Sequence, residues 1–428
     1  MTASASKHVV FATSGSLGDL YPFLALGQEL RRRGHRATIA TTANHRARVE
    51  AAGLGFRRMR PEPEESPDFL ARFMHPKKGG EFVYRHFLAP AIADSYADLE
   101  KSCADADLLV SQSLMALAAP LLAARTGIPW ISAVFQPMTL FSVHDRPNYL
   151  PYPVLPWLCG RDPVIHAKVL HYVRKYTEEW VRPVMDFRRG LGIDDAPHPM
   201  YEGQHSPDCV LAMFSPLLGG PRPDWPKAAV QTGTAQVALP ASASSPELDA
   251  FLARCDRPLA VFTLSSTASD TGTFYAAALE AARSAGMRAL LVTSGAAALQ
   301  ASGLPSRLPD WALRVDYAPF ERVFPHAAVV VHAGGIGTAF KAMQAGVRQV
   351  VVPHAHDQLD NAMRLQRLGV GRLLRPSQAS KRRLAGVIME ALRDETMRKT
   401  ATRVQAAALA ENGAAAACDI IERRLAHA

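Results

Sequence analysis

The chain has 428 residues, 48% of them hydrophobic and 20% charged, with a formal net charge of +9. Such a length exceeds a comfortable single core, so two domains are the default, and the composition excludes a disordered chain. The positive charge suits an anionic substrate, an anionic membrane surface or plain solubility, while the lack of a Lys/Arg run interleaved with aromatics argues against a nucleic-acid partner.

At the N-terminus MTASASKH passes directly into VVFATSG, too short and too strand-like for a signal peptide. HVVFAT (His8–Thr13) reads as a strand ending in the loop Ser-Gly-Ser-Leu-Gly-Asp. The helical segment YPFLALGQELRRRGH follows, with Phe23, Leu26 and Leu30 on one face and Gly34 as its stop, and then the strand RATIATT. Strand, glycine-bearing loop, helix and strand make a βαβ unit, the element of a parallel sheet. DLLVSQS (Asp107–Ser113) and PWISAVF (Pro129–Phe135) are further predicted strands. The apolar run Leu114–Ala124 contains a proline and is far short of the ~20 residues a bilayer span needs.

From Gln136 to about Met200, aromatics, prolines and basic residues crowd together without strand periodicity. Val169, Tyr172, Val173, Tyr176, Trp180 and Val184 are spaced for one face of an amphipathic helix. Residues 221–246, rich in Pro, Gly, Ser and Ala, have the composition of a linker between an N-terminal domain (1–220) and a C-terminal one (247–405). Residues 406–428 are predicted to form a helix free to pack back on the N-terminal domain.

Beyond residue 246 the βαβ pattern restarts. PLAVFTLSSTAS enters a Ser-rich loop, TFYAAALEAARSAG is helical, and RALLVTSG, LRVDYAPF, AAVVVHAGG and QVVVPHAHD are strands with their following turns. The expected fold class is α/β: two facing Rossmann-like domains, with ligands beyond the carboxyl ends of the strands and in the cleft between domains. Five scattered cysteines (Cys103, Cys159, Cys209, Cys255, Cys418) without a CxxC pair indicate reduced thiols in a cytoplasmic protein and no structural zinc.

Two loops carry the chemistry. In His332-Ala-Gly-Gly-Ile-Gly-Thr338, glycines let backbone approach a ligand, and the helix beginning there offers N–H groups and a positive dipole end to a phosphate. A tight turn with an internally satisfied histidine is the alternative. In Pro353-His-Ala-His-Asp-Gln-Leu-Asp-Asn361, Asp357 is either a helix N-cap or, beside Gln358, one of two groups able to bind adjacent sugar hydroxyls.

VDYAPF, HAGGIGT and GVRQVVVPHAHDQLDNA, in that order across Val315–Ala362, resemble the donor-binding signature of inverting nucleotide-sugar glycosyltransferases of the two-domain GT-B type. The resemblance implies that His332, Gly334, Gly335, Gly337 and Thr338 approach the pyrophosphate and that Asp357 and Gln358 hold the sugar. It places Ser266 and Thr267 of the TLSSTAS loop at phosphate, with Ser265 standing where the family has Gly. Gly15–Pro22 resembles the family's acceptor-side loop, which implies Asp19 as general base, with Ser16 beside it. An N-cap role for Asp19 is the structural alternative.

By overall layout the chain is similar to the rhamnosyltransferases of bacterial rhamnolipid synthesis, through Gly-Asp-x-x-Pro-Phe, FTxxST, Tyr317-Ala-Pro319, GGIG and His356–Gly369. That implies dTDP-L-rhamnose as co-substrate, no metal or other cofactor, and a 3-hydroxyacyl lipid acid as acceptor. It leaves open a partner enzyme that supplies the acyl group and peripheral contact with the inner membrane. Two positions depart from the wider GT-B family, whose plant members usually carry Trp-x-Pro-Gln where this chain has Tyr317-Ala-Pro-Phe320. Tyr317 can stack on a pyrimidine, but Phe320 replaces a hydrogen-bonding Gln, and Phe340 stands where a Glu grips both ribose hydroxyls. An apolar residue there suits a deoxyribose, hence dTDP over UDP, unless Phe340 faces the helix-packing side. Phe135, Met138, Phe141, Tyr149, Trp157 and Trp180 are the expected apolar acceptor groove, with core packing the alternative for each. Other hydrophobic aglycones (macrolide, polyketide, sterol) and a GT-B nucleotide-sugar epimerase are the competing readings.

Overall fold

A computed structural model describes residues 6–148, 154–237, 245–254, 256–264, 272–293, 304–305 and 307–427. The chain divides into two units. One comprises Met1–Phe69, Lys77–Leu239 and Asn412–Ala428; the other comprises Leu70–Pro76 and Pro240–Glu411.

In the first unit, β1 (His8–Ala12), β2 (Arg36–Thr41), β3 (Gly55–Arg58), β4 (Leu108–Gln112), β5 (Trp130–Val134), β6 (Val210–Ala212) and β7 (Ala229–Gln231) form a parallel sheet. Among the described residues its order is β3-β2-β1-β4-β5-β6-β7. Every residue of β1 and β4 is buried, as a central parallel strand covered on both faces requires. The helix Leu17–Arg32 starts at Ser16, whose side chain accepts from the Gly18 amide, and sends Leu20, Phe23, Leu24 and Leu26 into the core. There the Phe23 ring lies 5.2 Å from Phe11 and 5.1 Å from Phe135.

The terminal helix Gly413–His427 belongs to this same core, burying Ala417, Cys418, Ile421 and Leu425. Arg33 fastens it from outside, donating to Asp419 at 2.6 Å and Glu422 at 2.7 Å. The stretch expected to be linker carries β7, paired parallel to β6. Its prolines are compatible with that because β7 is the edge strand and only three residues long.

The expected amphipathic helix is divided. Pro163–Glu178 is α-helical, Glu179–Val181 tightens to a 3-10 turn, and Arg182–Gly190 resumes as a separate helix. The break uncouples the predicted face: Val184 is fully buried, while Tyr172 and Tyr176 are 72% and 65% exposed.

In the second unit, β8 (Leu259–Thr263), β9 (Arg288–Val292), β10 (Ala312–Val315), β11 (Ala327–His332), β12 (Arg348–Val351) and β13 (Gly371–Leu373) are also all parallel. Their order among the described residues is β10-β9-β8-β11-β12-β13. Alternation along β8 sends Ala260 and Phe262 into one core and Leu259 and Val261 into the other. A sheet buried on both faces exposes polar groups only at its strand ends, which is where the two polar loops leave it.

Candidate active site

At the carboxyl end of β1 the chain turns through Thr13–Ser16 into a helix, and Asp19 is the third residue of that helix. Its Oδ2 accepts from the Ser16 backbone N–H at 2.7 Å and the Ser16 hydroxyl at 3.0 Å, a reciprocal capping box. Its Oδ1 accepts from Gln112 Nε2 at 2.5 Å. Gln112 ends the neighbouring strand β4, is 3% exposed, and is itself fixed by a hydrogen bond from the Thr13 hydroxyl. The side chain therefore does cap a helix, and it is also half-exposed, with its two oxygens held in a set direction.

Gly15 packs directly beneath this carboxylate: a Cβ there would lie 2.2 Å from Asp19 Oδ2. On the other side, buried His45, just past β2, donates from Nε2 to the Gly15 carbonyl at 3.0 Å. Burial pushes the His45 imidazole below its usual pKa, so it stays neutral. Tyr84, on the π-helical turn Phe82–Leu88, has its hydroxyl pKa pushed up by burial and by the charge of Asp19. Gln112, His45 and Tyr84 had no motif to mark them in the sequence.

The same unit contains an apolar cavity of about 690 Å³, lined by Leu140, Phe141, Val143, Leu170, Val184 and Tyr201 among others. Of the aromatics expected to form an acceptor groove, Phe141 lines it, with its ring 4.8 Å from Tyr201. Phe135 is corrected to core: it is 4% exposed and packed on Phe23. Met138 is half-buried in the short turn Pro137–Leu140. Trp157 is 45% exposed under the Arg161 guanidinium, 3.7 Å from its ring centre, and Trp180 packs edge-on against exposed Tyr176. The five described positions thus do not make one groove, and Tyr149 lies outside the described residues. Tyr201 was missed because it sits over 50 residues along from Phe141, in a stretch without periodicity.

In the second unit the two polar loops leave adjacent strands, since His332 of β11 pairs with Val351 of β12. His332 is 1% exposed. Its Nδ1 accepts the Gly334 amide at 3.1 Å, which makes Nε2 the protonated nitrogen, donating to Gln349 Oε1 at 2.9 Å. Burial brings its pKa down to about 4, so the ring is neutral and both nitrogens are spent inside the protein. Gly334 has φ +94°, and a Cβ there would meet Val351 Cγ1 at 2.8 Å and the Gln358 carbonyl at 2.9 Å. Only glycine fits that turn. Gly335 is the N-cap of the helix Ile336–Gln344, and no side chain caps its first-turn amides. Exposed Gly337 and half-buried Thr338 follow.

Asn361 joins the loops, donating from Nδ2 to the Gly334 carbonyl at 2.9 Å and to Asp357 Oδ2 at 2.7 Å. Asp357 occupies the N-cap position of Gln358–Leu368 but makes no capping bond. Gln358 Oε1 accepts from the amides of His354 and Ala355, which leaves its Nε2 without a partner among the described residues. Tyr317 is 45% exposed beyond β10, whereas the Phe320 ring is stacked on Phe324 at 4.6 Å. Phe340 is corrected: at 1% exposure its ring is enclosed, so it faces the packing side and offers a ribose no surface. Ser266 and Thr267 lie outside the described residues. Among the described residues, no group of three or more His, Cys, Asp or Glu side chains is placed to hold a metal ion.

Residues 9–123 match the glycosyltransferase family 28 N-terminal domain, and residues 293–422 match the erythromycin biosynthesis protein CIII-like C-terminal domain. The chain is 32% identical over 433 residues to O-mycaminosyltylonolide 6-deoxyallosyltransferase of Streptomyces fradiae, covering 97% of this chain and 96% of that protein. It is also 24% identical over 447 residues to sterol 3-beta-glucosyltransferase of Candida albicans; the match takes in 99% of this chain but only 28% of that longer protein. The fold is that of the calicheamicin glycosyltransferase (TM-score 0.72, 23% identity, 99% of both chains). It is also that of glycosyltransferase VinC in complex with dTDP (TM-score 0.68, 19% identity, 98% of this chain and 100% of that one). Two parallel Rossmann-like sheets, paired polar loops at the strand ends of the second, and 32% identity over nearly the whole of a 6-deoxyallosyltransferase lead to one assignment: the chain belongs to the GT-B glycosyltransferases that join a family 28 amino-terminal domain to an EryCIII-like carboxy-terminal domain.

Proposed function

We propose that this glycosyltransferase moves a sugar from a dTDP- or UDP-sugar to a hydroxyl of a hydrophobic aglycone of the macrolide, polyketide or sterol kind, with inversion. The carrying observation is the Asp19 carboxylate, directed by Ser16 and Gln112, in a unit that also holds a 690 Å³ apolar cavity. The near-full-length relative acts on a tylonolide and the longer ones on sterols, which favours a bulky polycyclic or macrocyclic acceptor over the hydroxy-fatty acid of rhamnolipid synthesis.

In this reading the second unit binds the donor. The uncapped amides of Ile336–Gln344 and the Thr338 hydroxyl take the diphosphate, and the departing charge is stabilised by fixed N–H dipoles. Asp357 and the free Nε2 of Gln358 bind sugar hydroxyls. His332 does not touch the ligand in this account; it sets the Gly334 turn. Asp19 takes the acceptor proton as that oxygen attacks the anomeric carbon on the face opposite the nucleotide.

Incubation with dTDP- and UDP-sugars, dTDP-L-rhamnose included, against macrolide, sterol and 3-hydroxyacyl acceptors tests this reading, with product mass as the readout. Glycosylated macrolide or sterol is expected. Transfer only to the 3-hydroxyacyl acid restores the rhamnolipid reading, and an epimerised donor without product makes the protein an isomerase. Asp19→Ala is expected to cut transfer by about 10²- to 10⁴-fold with dTDP affinity unchanged by calorimetry. Retained activity removes Asp19 from the chemistry.

A further inference from the structure

Of the ten large hydrophobics exposed among the described residues, seven fall between Val154 and Tyr176, with Val164, Tyr172 and Tyr176 each more than 60% exposed. The longer of the two helices there, Pro163–Glu178, carries Val164, Ile165, Tyr172 and Tyr176. At about 100° per residue, Val164, Ile165, Lys168, Tyr172, Lys175 and Tyr176 fall within an arc of about 120°. His166 and Thr177, the buried residues of the helix, lie on the opposite side, so the helix rests on His166 and turns this arc outward. The inward side is anchored, His166 Nδ1 to the Val143 carbonyl and Thr177 to the hydroxyl of Tyr201.

Within Pro163–Glu178 the outward arc carries two lysines and no acid; Glu178 lies about 40° outside it, and Glu179, which follows the helix in line with the arc, is neutralised by its pairing with Arg182. Neither Lys168 nor Lys175 has an acidic partner among the described residues, in contrast to Arg174, which is held by Glu202. We infer that this helix face docks the protein on an anionic lipid bilayer, Val164, Ile165 and the two tyrosines entering the headgroup boundary while Lys168 and Lys175 meet lipid phosphates. Charge selects this occupant. A two-fold contact between copies would set the lysines of one against those of the other, a like-charge arrangement, whereas an anionic surface neutralises both. Aromatic and basic residues on one face of a surface helix are the composition of an interfacial element, and no described helix is long and apolar enough to span a membrane.

Flotation of the full-length protein with phosphatidylglycerol/phosphatidylcholine vesicles and with pure phosphatidylcholine vesicles tests this, alongside sedimentation velocity for self-association. Binding to the anionic vesicles, weakened by salt, is expected. Lys168→Ala with Lys175→Ala should weaken it roughly thirtyfold, since each surface lysine contributes about a factor of five. Tyr172→Ala with Tyr176→Ala should weaken it as well, with circular dichroism and dTDP affinity unchanged in both variants. Binding that ignores both pairs of substitutions, absence of binding to anionic vesicles, or a dimer dissociated by the tyrosine variant each overturns the proposal. None of these outcomes depends on which sugar or aglycone the enzyme uses.

Discussion

Asp19 illustrates what one residue owes to its neighbours. A solvated carboxylate rotates freely, but here Ser16 holds one oxygen and Gln112 the other, so its orientation is set, as the proposed role as general base requires. Gln112→Leu removes that second restraint and strands the Thr13 hydroxyl. Steady-state kinetics should show kcat down by roughly tenfold with KM nearly unchanged, because only the geometry of proton transfer is affected. A change confined to KM would place Gln112 in binding. His332 acts differently, through its neutral state. Its folded pKa of about 4 is below the unfolded value near 6.5, so the unfolded chain binds the extra proton as pH falls. The stabilisation is complete above about 6.5, is lost as pH drops toward 4, and amounts to about 3 kcal/mol at most. Urea midpoints measured from pH 7 to 4.5 should fall with a slope that His332→Asn makes shallower by about one proton. An unchanged slope would mean that the ring is solvated.

At the scale of elements, the two polar loops of the second unit are coupled because Asn361 ties the Gly334 carbonyl to the Asp357 carboxylate. Gly334→Ala tests the coupling. The added methyl meets Val351 and the Gln358 carbonyl at a positive φ, so the turn must shift, at a cost of about 1–3 kcal/mol. Calorimetry should show dTDP binding weakened by about tenfold or more, while a conserved affinity would show that the turn does not contact the diphosphate. The strand ends nearby were legible in the sequence: β8, β9, β11 and β12 are short β-branched or apolar runs that stop at polar loops. β6 and β7 were not, since three-residue strands in a proline-rich stretch are too short to show a period.

For the whole molecule, the terminal helix is the informative piece. Gly413–His427 follows the second unit in sequence yet buries its apolar face in the core of the first, against the Leu17–Arg32 helix. Deleting residues 412–428 uncovers Ala417, Cys418, Ile421 and Leu425 contacts and should destabilise the first unit by several kcal/mol, at about 1–2 kcal/mol per lost side chain. Two calorimetric transitions are expected, with the one stabilised by dTDP unmoved and the other shifted down. A common shift of both would show that the units unfold as one.

Local information in the sequence was enough for the alternation of strand, loop and helix, for the two parallel sheets it builds, and for the position of the polar loops at their strand ends. Periodicity and turn residues are properties of neighbouring positions, and parallel sheets expose polar groups only at strand ends. The partners of those groups came from the tertiary structure alone. Gln112 meets Asp19 across 93 residues and Asn361 meets Gly334 across 27, because β4 lies beside β1 and β12 beside β11. Burial was decided in the same way: Phe135 and Phe340 look like ligand-facing aromatics in the chain, and only the packing of other elements over them made them core. Strand order and helix packing are collective outcomes of chain folding, and no local pattern encodes which residue a side chain will finally face.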